Sequence, residues 1–218
     1  MSSGSMSKGN AVPRAETASP QAPIAKARAA RQRERILDAA ELCFIQSGFH
    51  AASMAHIAKT AGMSAGLIYR YFDSKSAIVK AIIERHLESD QAQMVGQLNS
   101  AGDASRCVLQ IFESWRRRDD PKMNPVLMLE LAAESTRDPE IARAVRSKDQ
   151  AMGERLMQAV RRSAKLQGVK LTPAAARSRA VMLQCLVEGL ALRVVRDPAL
   201  QRSTLKPALD AIIAVLMS

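Results

Sequence analysis

The chain has 218 residues, of which 47% are hydrophobic and only 3% aromatic, and it carries a formal charge of +11. That is enough chain for one large domain or two modest ones, and no apolar run approaches the roughly 20 residues that a membrane span needs. Cys43, Cys107 and Cys185 lie far apart in no metal-ligand spacing. They read as small buried hydrophobes of a cytoplasmic, reduced protein.

A basic balance favours an anionic partner such as nucleic acid or a negative membrane face. Residues 1–91 hold 12 basic and 8 acidic side chains, whereas residues 92–218 hold 20 and 13. Most of the excess therefore lies in the second half, and net charge alone does not locate a site.

In chain order, residues 1–25 are rich in Ser, Gly, Pro and Ala, without the apolar core of a signal peptide, and are expected to be a disordered tail. Everything after them reads as helix: strand-like alternation is missing, and Ala, Leu, Met, Arg and Glu dominate. The first helix is expected from about residue 27 to Ser47. Ile36, Leu37, Ala40, Cys43 and Phe44 make one apolar stripe at the α-helical period, and Gly48 ends it. Ser53 N-caps a short helix with Met54, Ile57, Ala58 and Ala61 on one face, and Gly62 breaks it. Ser64 caps a second short helix. Asp73 and Ser74 stop that one and start a long helix expected to reach about Leu98. Further helices are expected at 104–118, 125–136, 139–167, 173–196 and 205–217, with Asp138-Pro139 and Thr172-Pro173 as starts and Gly168 as a stop.

Two short helices joined by a Gly-containing turn and braced by a longer one form a helix-turn-helix, here at about residues 53–72. Such a motif sets its second helix into the DNA major groove. Both tyrosines of the protein, Tyr69 and Tyr71, fall within this stretch beside Phe72. A tyrosine pairs a flat apolar ring with one hydroxyl that reaches a phosphate oxygen, while Phe72 suits anchoring the following turn in the core. Met63 and Ile68 are expected to face inward. Ser64, Ala65 and Gly66 are small enough to let the helix terminus approach phosphates and base edges. Upstream, Lys26, Arg28, Arg31, Arg33 and Arg35, offset by Glu34, form a basic arm suited to phosphates or the minor groove.

The run "RERILDAAELCFIQSGFHAASMAHIAKTAGMSAGLIYRYFDSKSAIVKAII" resembles the DNA-binding domain of TetR-type transcriptional regulators over about residues 31–85. The "ILDAA" first helix, "MAHIAKTAGMS", "YRYF" and the lysine three residues after Phe72 carry the likeness. The resemblance implies an all-α homodimer with a helix-turn-helix domain at 26–91 and a ligand-binding and dimerisation domain at 92–218. It further implies release of operator DNA when a small hydrophobic or amphipathic effector binds. By position, the DNA-facing residues are Ser53, Ser64, Ala65, Gly66, Leu67, Tyr69, Arg70, Tyr71 and Lys75, with Arg31 from the arm. Leu67 departs from the family pattern, which often has Thr there, and can offer a thymine only a methyl contact.

In the second half, eleven of the fifteen residues from Val181 to Val195 are apolar, and a helix apolar nearly all round must be covered on both sides. Val187, Leu190 and Val194, with Leu209, Ile213 and Leu216 of the final helix, are expected at a two-fold dimer interface. Phe112, Trp115, Met128, Leu131, Met152 and Leu183 are expected to wall an effector cavity, with Gln184 or Glu188 giving it polar direction. Arg116 to Arg118 would suit an anionic group. Glu130 and Glu134, four apart on one face, read as salt-bridged surface or pocket rim. His50, His56 and His86 share no ligand spacing, so no metal or other cofactor is expected. With no nucleophile–base pair, metal cluster or phosphate loop, a helical enzyme or ligand carrier whose helix-turn-helix is only structural is disfavoured. A ligand-independent DNA-binding protein is the remaining alternative.

Overall fold

The computed structural model describes residues 21–88, 95, 98–117 and 124–218, with side chains from residue 26 onward. All regular structure among them is α-helical: α1 Gln21–Ala51, α2 Met54–Thr60, α3 Ala65–Ile68, α4 Lys75–Leu87, α5 Ala101–Arg117, α6 Pro125–Ser135, α7 Pro139–Leu166, α8 Pro173–Arg196 and α9 Arg202–Met217.

The caps explain most boundaries. Side-chain oxygens of Ser53, Ser64 and Ser74 accept from the backbone N–H groups of His56, Leu67 and Ala77 at 3.1, 3.3 and 3.1 Å. Asp138 accepts from Glu140 and Ile141, and Thr172 from Ala175, each just before a proline at the first helical position. Gly168 adopts φ 73°, and Val169 closes the end of α7 by donating to the Ala164 carbonyl at 2.8 Å.

The helices expected from 104 and 205 each start three residues earlier, and three boundaries differ by more. Helix α1 starts earlier, at Gln21, because Pro23 falls in a first turn that tolerates it and the alanines after it favour helix. Residues 21–25 are therefore helical, while the rest of the expected tail lies outside the described residues. The far end of α1 bends at Gly48, with φ 76°, and resumes for one turn to Ala51. Helix α4 ends at Leu87 rather than near Leu98, with Glu88 as its C-cap, and residues 89–94 lie outside the described set. The boundary expected at residue 91 falls in that stretch.

Two apolar cores form. The first gathers Ile36, Leu37, Cys43 and Phe44 of α1, Ile57 of α2, Ile68 of α3 and Ile78, Ile82 and Ile83 of α4. It also takes in Leu127 and Leu131 of α6 and Ile141 of α7, so the helices of the second half help to build the first core. The second core joins α5, α7, α8 and α9 through Leu109, Phe112, Trp115, Val160, Leu183, Leu190, Val194, Leu209 and Ile213.

In that arrangement the residues expected at the dimer face are largely turned into the protomer. Leu190, Val194, Leu209 and Ile213 are buried inside the protomer, Val187 and Leu216 are half-buried, and the outward positions are others. Val181, Met182, Ile212 and Val215 are 48, 52, 47 and 67% exposed. Cys185 also lies on this outward side of α8, so of the three cysteines only Cys43 and Cys107 are buried.

Candidate nucleic-acid interface and ligand cavity

The turn between α2 and α3 is built around Gly62, whose φ of 63° suits a residue without Cβ. Its neighbours close the turn: Gly62 donates to the Lys59 carbonyl at 3.0 Å and Met63 to that of Ala58 at 2.9 Å. From α1, the Arg35 guanidinium donates to the Ala61 carbonyl at 2.6 Å, and the Arg33 guanidinium lies 4.5 Å from the centre of the Phe72 ring. Two cations of the basic arm thus fix the motif to its brace. Lys26, Arg28 and Arg31 remain exposed along the start of α1.

Ser53 at the start of α2, Ser64 at the start of α3, and Ala65, Gly66, Tyr69 and Arg70 on α3 and the turn after it are all exposed. A Cβ added at Gly66 would meet nothing within 4 Å. Ile68 and Phe72 are buried and hold the helix down, as expected, with Met63 half-buried beside them. Leu67 is half-buried, and Tyr71 packs against the first core, so Tyr69 is the more outward of the two tyrosines.

Lys75 sits differently from the expected outward contact. Its ammonium donates to the Phe49 carbonyl at 2.6 Å and lies 4.1 Å from the centre of the Phe49 ring. Burial pulls its pKa down, while the Glu134 charge acts in the opposite direction. The lysine ties the start of α4 to the bent end of α1 instead of facing outward.

The same seam is gripped from the second half by α6. Glu130 accepts from the Phe49 amide at 2.8 Å, and Glu134 lies 3.2 Å from the His50 imidazole. Ser76 donates to Asp138 at 2.6 Å. The pair read from sequence as salt-bridged surface or pocket rim is thus a clasp between the two halves.

A second polar cluster joins α1 to α4. Glu41 is fully buried, with Arg85 and His86 at 2.7 and 2.9 Å from one of its oxygens. Arg85 also reaches Glu34 at 2.9 Å and Asp38 at 2.8 Å. Burial would raise the Glu41 pKa, but the hydrogen bonds from His86 and Arg85 outweigh it and hold the carboxyl below its ordinary value.

His86 also lines a cavity of about 160 Å³ between α5, α6, α7 and α8. Of the expected wall, Trp115, Met128, Met152, Leu183, Gln184 and Glu188 line it. Phe112 and Leu131 do not: Phe112 is buried in the second core with Arg116 near its ring, and Leu131 belongs to the first core. Val187, expected at the dimer face, lines the cavity as well. Arg116 pairs with Glu113 at 3.4 Å and is not part of the wall, and Arg118 lies outside the described residues. The expected anionic site therefore has no support from Arg116.

The sequence reading missed Cys107, Val108 and Ile111, which with Trp115 make an apolar stripe on α5 that the helical period could have exposed. It also missed Lys148 and Asp149 in the wall, whose charges resemble any solvated stretch of the long polar helix α7. Burial raises the pKa of Asp149. That of Glu188 is raised by burial and then by the Asp149 charge, with Lys148 opposing both shifts. Gln184 donates to the Asp149 carbonyl at 2.9 Å and ties α7 to α8 beside them.

With this geometry in place, residues 36–82 match the family described as bacterial regulatory proteins, tetR family, and residues 104–217 match the C-terminal domain of BetI-type transcriptional repressors. The chain belongs to the TetR family of transcriptional regulators. It is 32% identical over 130 residues to the HTH-type transcriptional regulator UidR of Escherichia coli K12, a match covering 59% of this chain and 64% of that protein. The fold is shared with FadR of Bacillus subtilis, solved in complex with stearoyl-CoA, at a TM-score of 0.65 and 20% identity. That likeness covers 85% of this chain and 97% of the other. A putative regulator of Saccharomonospora viridis, solved in complex with choline, has a TM-score of 0.66 and 20% identity, covering 84 and 96%. TetR-family regulators bind DNA and small-molecule effectors. Among the described residues of this chain, no helix is long and apolar enough to cross a membrane.

Proposed function

We propose that this TetR-family regulator is a repressor that holds a palindromic operator as a homodimer and leaves it when a small amphipathic effector fills the cavity between α5 and α8. The observation that carries this reading is the double attachment of α6. Met128 lines the cavity, its neighbours Leu127 and Leu131 are buried in the first core, and Glu130 holds the Phe49 amide. An occupant that displaces Met128 must move a helix to which the brace of the helix-turn-helix is fastened. A ligand shifts the equilibrium only by its difference in affinity for the two states, and operator DNA must weaken its binding by the same factor.

On the DNA side, Ser53, Ser64, Ala65, Gly66, Tyr69 and Arg70 form the docking surface, with Arg31 reaching along the duplex. Leu67 and Tyr71 give what remains of their half-buried side chains. Lys75 acts one step back by fixing the start of α4. Two such surfaces need a fixed spacing near one DNA turn, roughly 34 Å. Pairing of the outward apolar side of α8 and α9 across a two-fold axis supplies it and covers Val181, Met182, Ile212 and Val215. Ligands as unlike as stearoyl-CoA and choline occupy the structural neighbours, so the likeness of fold leaves the effector class to this chain's own wall.

The test is fluorescence anisotropy with DNA from upstream of the chain's own gene, at several salt concentrations, with and without candidate effectors. Salt-dependent, sequence-selective binding that an effector weakens is the expected result. Binding that no cavity ligand alters would favour ligand-independent regulation, and no selective binding would refute the operator reading.

A further inference from the structure

Charge is spread unevenly over the second half of the chain. Residues 155–187 hold seven basic side chains and no acidic one, which equals the whole excess of residues 92–218. Three of the seven are tied to backbone carbonyls: Arg155 to Leu87 at 3.0 Å, Arg162 to Leu98 at 3.2 Å, and Arg179 to Ser218. The other four, Arg161, Lys165, Lys170 and Arg177, are exposed, and none forms an ion pair among the described residues.

These four gather at one place, the turn from α7 to α8. All six residues from Lys165 to Lys170 are exposed, so the turn protrudes and forms no groove. Within it, Leu166 and Val169 are 73 and 43% exposed. The helix dipole accounts for Lys165, in the last turn of α7. It does not account for Lys170, beyond that end, or for Arg177, near the N-terminus of α8, where a cation is disfavoured. Arg161 and Lys165, four apart on one helix, also repel each other.

The place of this tip in the fold sets it apart from the operator. Helix α7 starts at the bond between Ser76 and Asp138, beside the DNA-binding head, and runs for 28 residues. At a rise of 1.5 Å per residue its far end lies about 40 Å away. A partner of the tip must be anionic and must also offer an apolar layer to Leu166 and Val169. A bilayer with anionic lipids does both: headgroups meet the lysines and arginines, and the aliphatic groups enter the acyl boundary. A second duplex would satisfy the cations and leave both aliphatic groups in water.

We propose that the tip of α7 and α8 is a peripheral docking site for an anionic membrane surface, at the far end of the protein from its DNA-binding head. Arg177 lies one turn before Val181, so the proposed pairing of α8 and α9 sets two tips side by side and doubles the contact. Each cation near an anionic bilayer strengthens partitioning about five-fold.

The test is flotation of the full chain with vesicles of phosphatidylcholine alone, or of phosphatidylcholine and phosphatidylglycerol in equal parts, at low and high salt. Binding is expected only to the anionic vesicles, and it should fall as salt rises. Lys165→Glu combined with Lys170→Glu, both at exposed positions, is expected to lower the partition coefficient on the order of ten-fold or more. Operator affinity should stay unchanged in that variant. Leu166→Ser removes no charge and is expected to give a smaller loss. Failure of the wild type to float with anionic vesicles would overturn the proposal, as would Leu166→Ser binding as tightly as wild type. Flotation that the paired lysine variant leaves intact would assign the contact to Lys26, Arg28 and Arg31 instead. Weaker binding of non-operator DNA by that variant, with no vesicle binding by the wild type, would make the tip a second nucleic-acid contact.

Discussion

Glu130 of α6 accepts a hydrogen bond from the backbone amide of Phe49 at 2.8 Å, one residue past the left-handed Gly48 that bends α1. The bend frees an amide that a continuous helix would have consumed, and the carboxylate from the other half of the protein takes it. Replacing Glu130 with Ala leaves that amide partly buried and unpaired, at a cost of about 1–3 kcal/mol. Urea denaturation is expected to show a lower midpoint, while cavity ligands still bind with wild-type affinity. Under the proposed mechanism the same variant loses much of the effect of ligand on operator affinity, and undiminished coupling would remove α6 from the transmission route.

Glu41 gives a pH-dependent prediction. Its folded pKa lies below the ordinary 4.5, so its contribution to stability is fully present above about pH 4.5 and is lost as the pH falls through the folded value. Wild-type stability should therefore fall on acidification through this range, and Glu41→Gln should remove part of that dependence. At neutral pH, Glu41→Ala is expected to cost roughly 3 kcal/mol, because it strips a buried carboxylate from Arg85 and His86. Urea midpoints at pH 7 and pH 4 for the wild type and both variants check the sign and the size.

Arg70 and Lys75 should behave in opposite ways. Arg70 is exposed beside Tyr69, and Arg70→Ala is expected to weaken operator binding across sequences and reduce the salt slope by about one. Lys75→Ala should leave that slope nearly unchanged and lower the thermal midpoint, since the ammonium is occupied by the Phe49 carbonyl and ring. A reduced slope for Lys75→Ala would show that this side chain swings out to the phosphates in the complex.

The outward side of α8 and α9 separates assembly from folding. Met182→Asp and Val215→Asp put charges at positions that are exposed in the protomer, and light scattering is expected to give a folded monomer. Ile213→Asp buries an unpaired charge in the second core and should prevent folding. A dimer that persists in the Met182→Asp, Val215→Asp double variant would place the interface elsewhere.

What the sequence made legible is local chemistry. Ser53, Ser64, Ser74, Asp138 and Thr172 announce helix starts because a side-chain oxygen followed by helix-forming residues has one strong use. Gly48, Gly62 and Gly168 announce reversals, and all three have positive φ. Phase was harder. Helix α8 is apolar on nearly every side, so its period does not say that Leu190 and Val194 point inward while Val181 and Met182 point out. Lys75 misled for a related reason: a lysine beside a recognition helix looks like a phosphate ligand until Phe49, distant in sequence, is seen to lie beneath it. The cavity wall needed four helices brought together, and only its aromatic and methionine members stood out beforehand.

Because Leu127, Leu131 and Ile141 complete the core beneath α1 and α4, cutting the chain at the boundary expected near residue 91 should leave the first core incomplete. A fragment ending there would expose the underside of its own DNA-binding head and leave Phe49 without Glu130. Anyone grafting this head onto another sensor, or fitting a foreign head to this cavity, inherits the same constraint. The transferable unit is the head together with α6 and the first turn of α7, and chimeras joined upstream of Asn124 should be recovered mainly as aggregates.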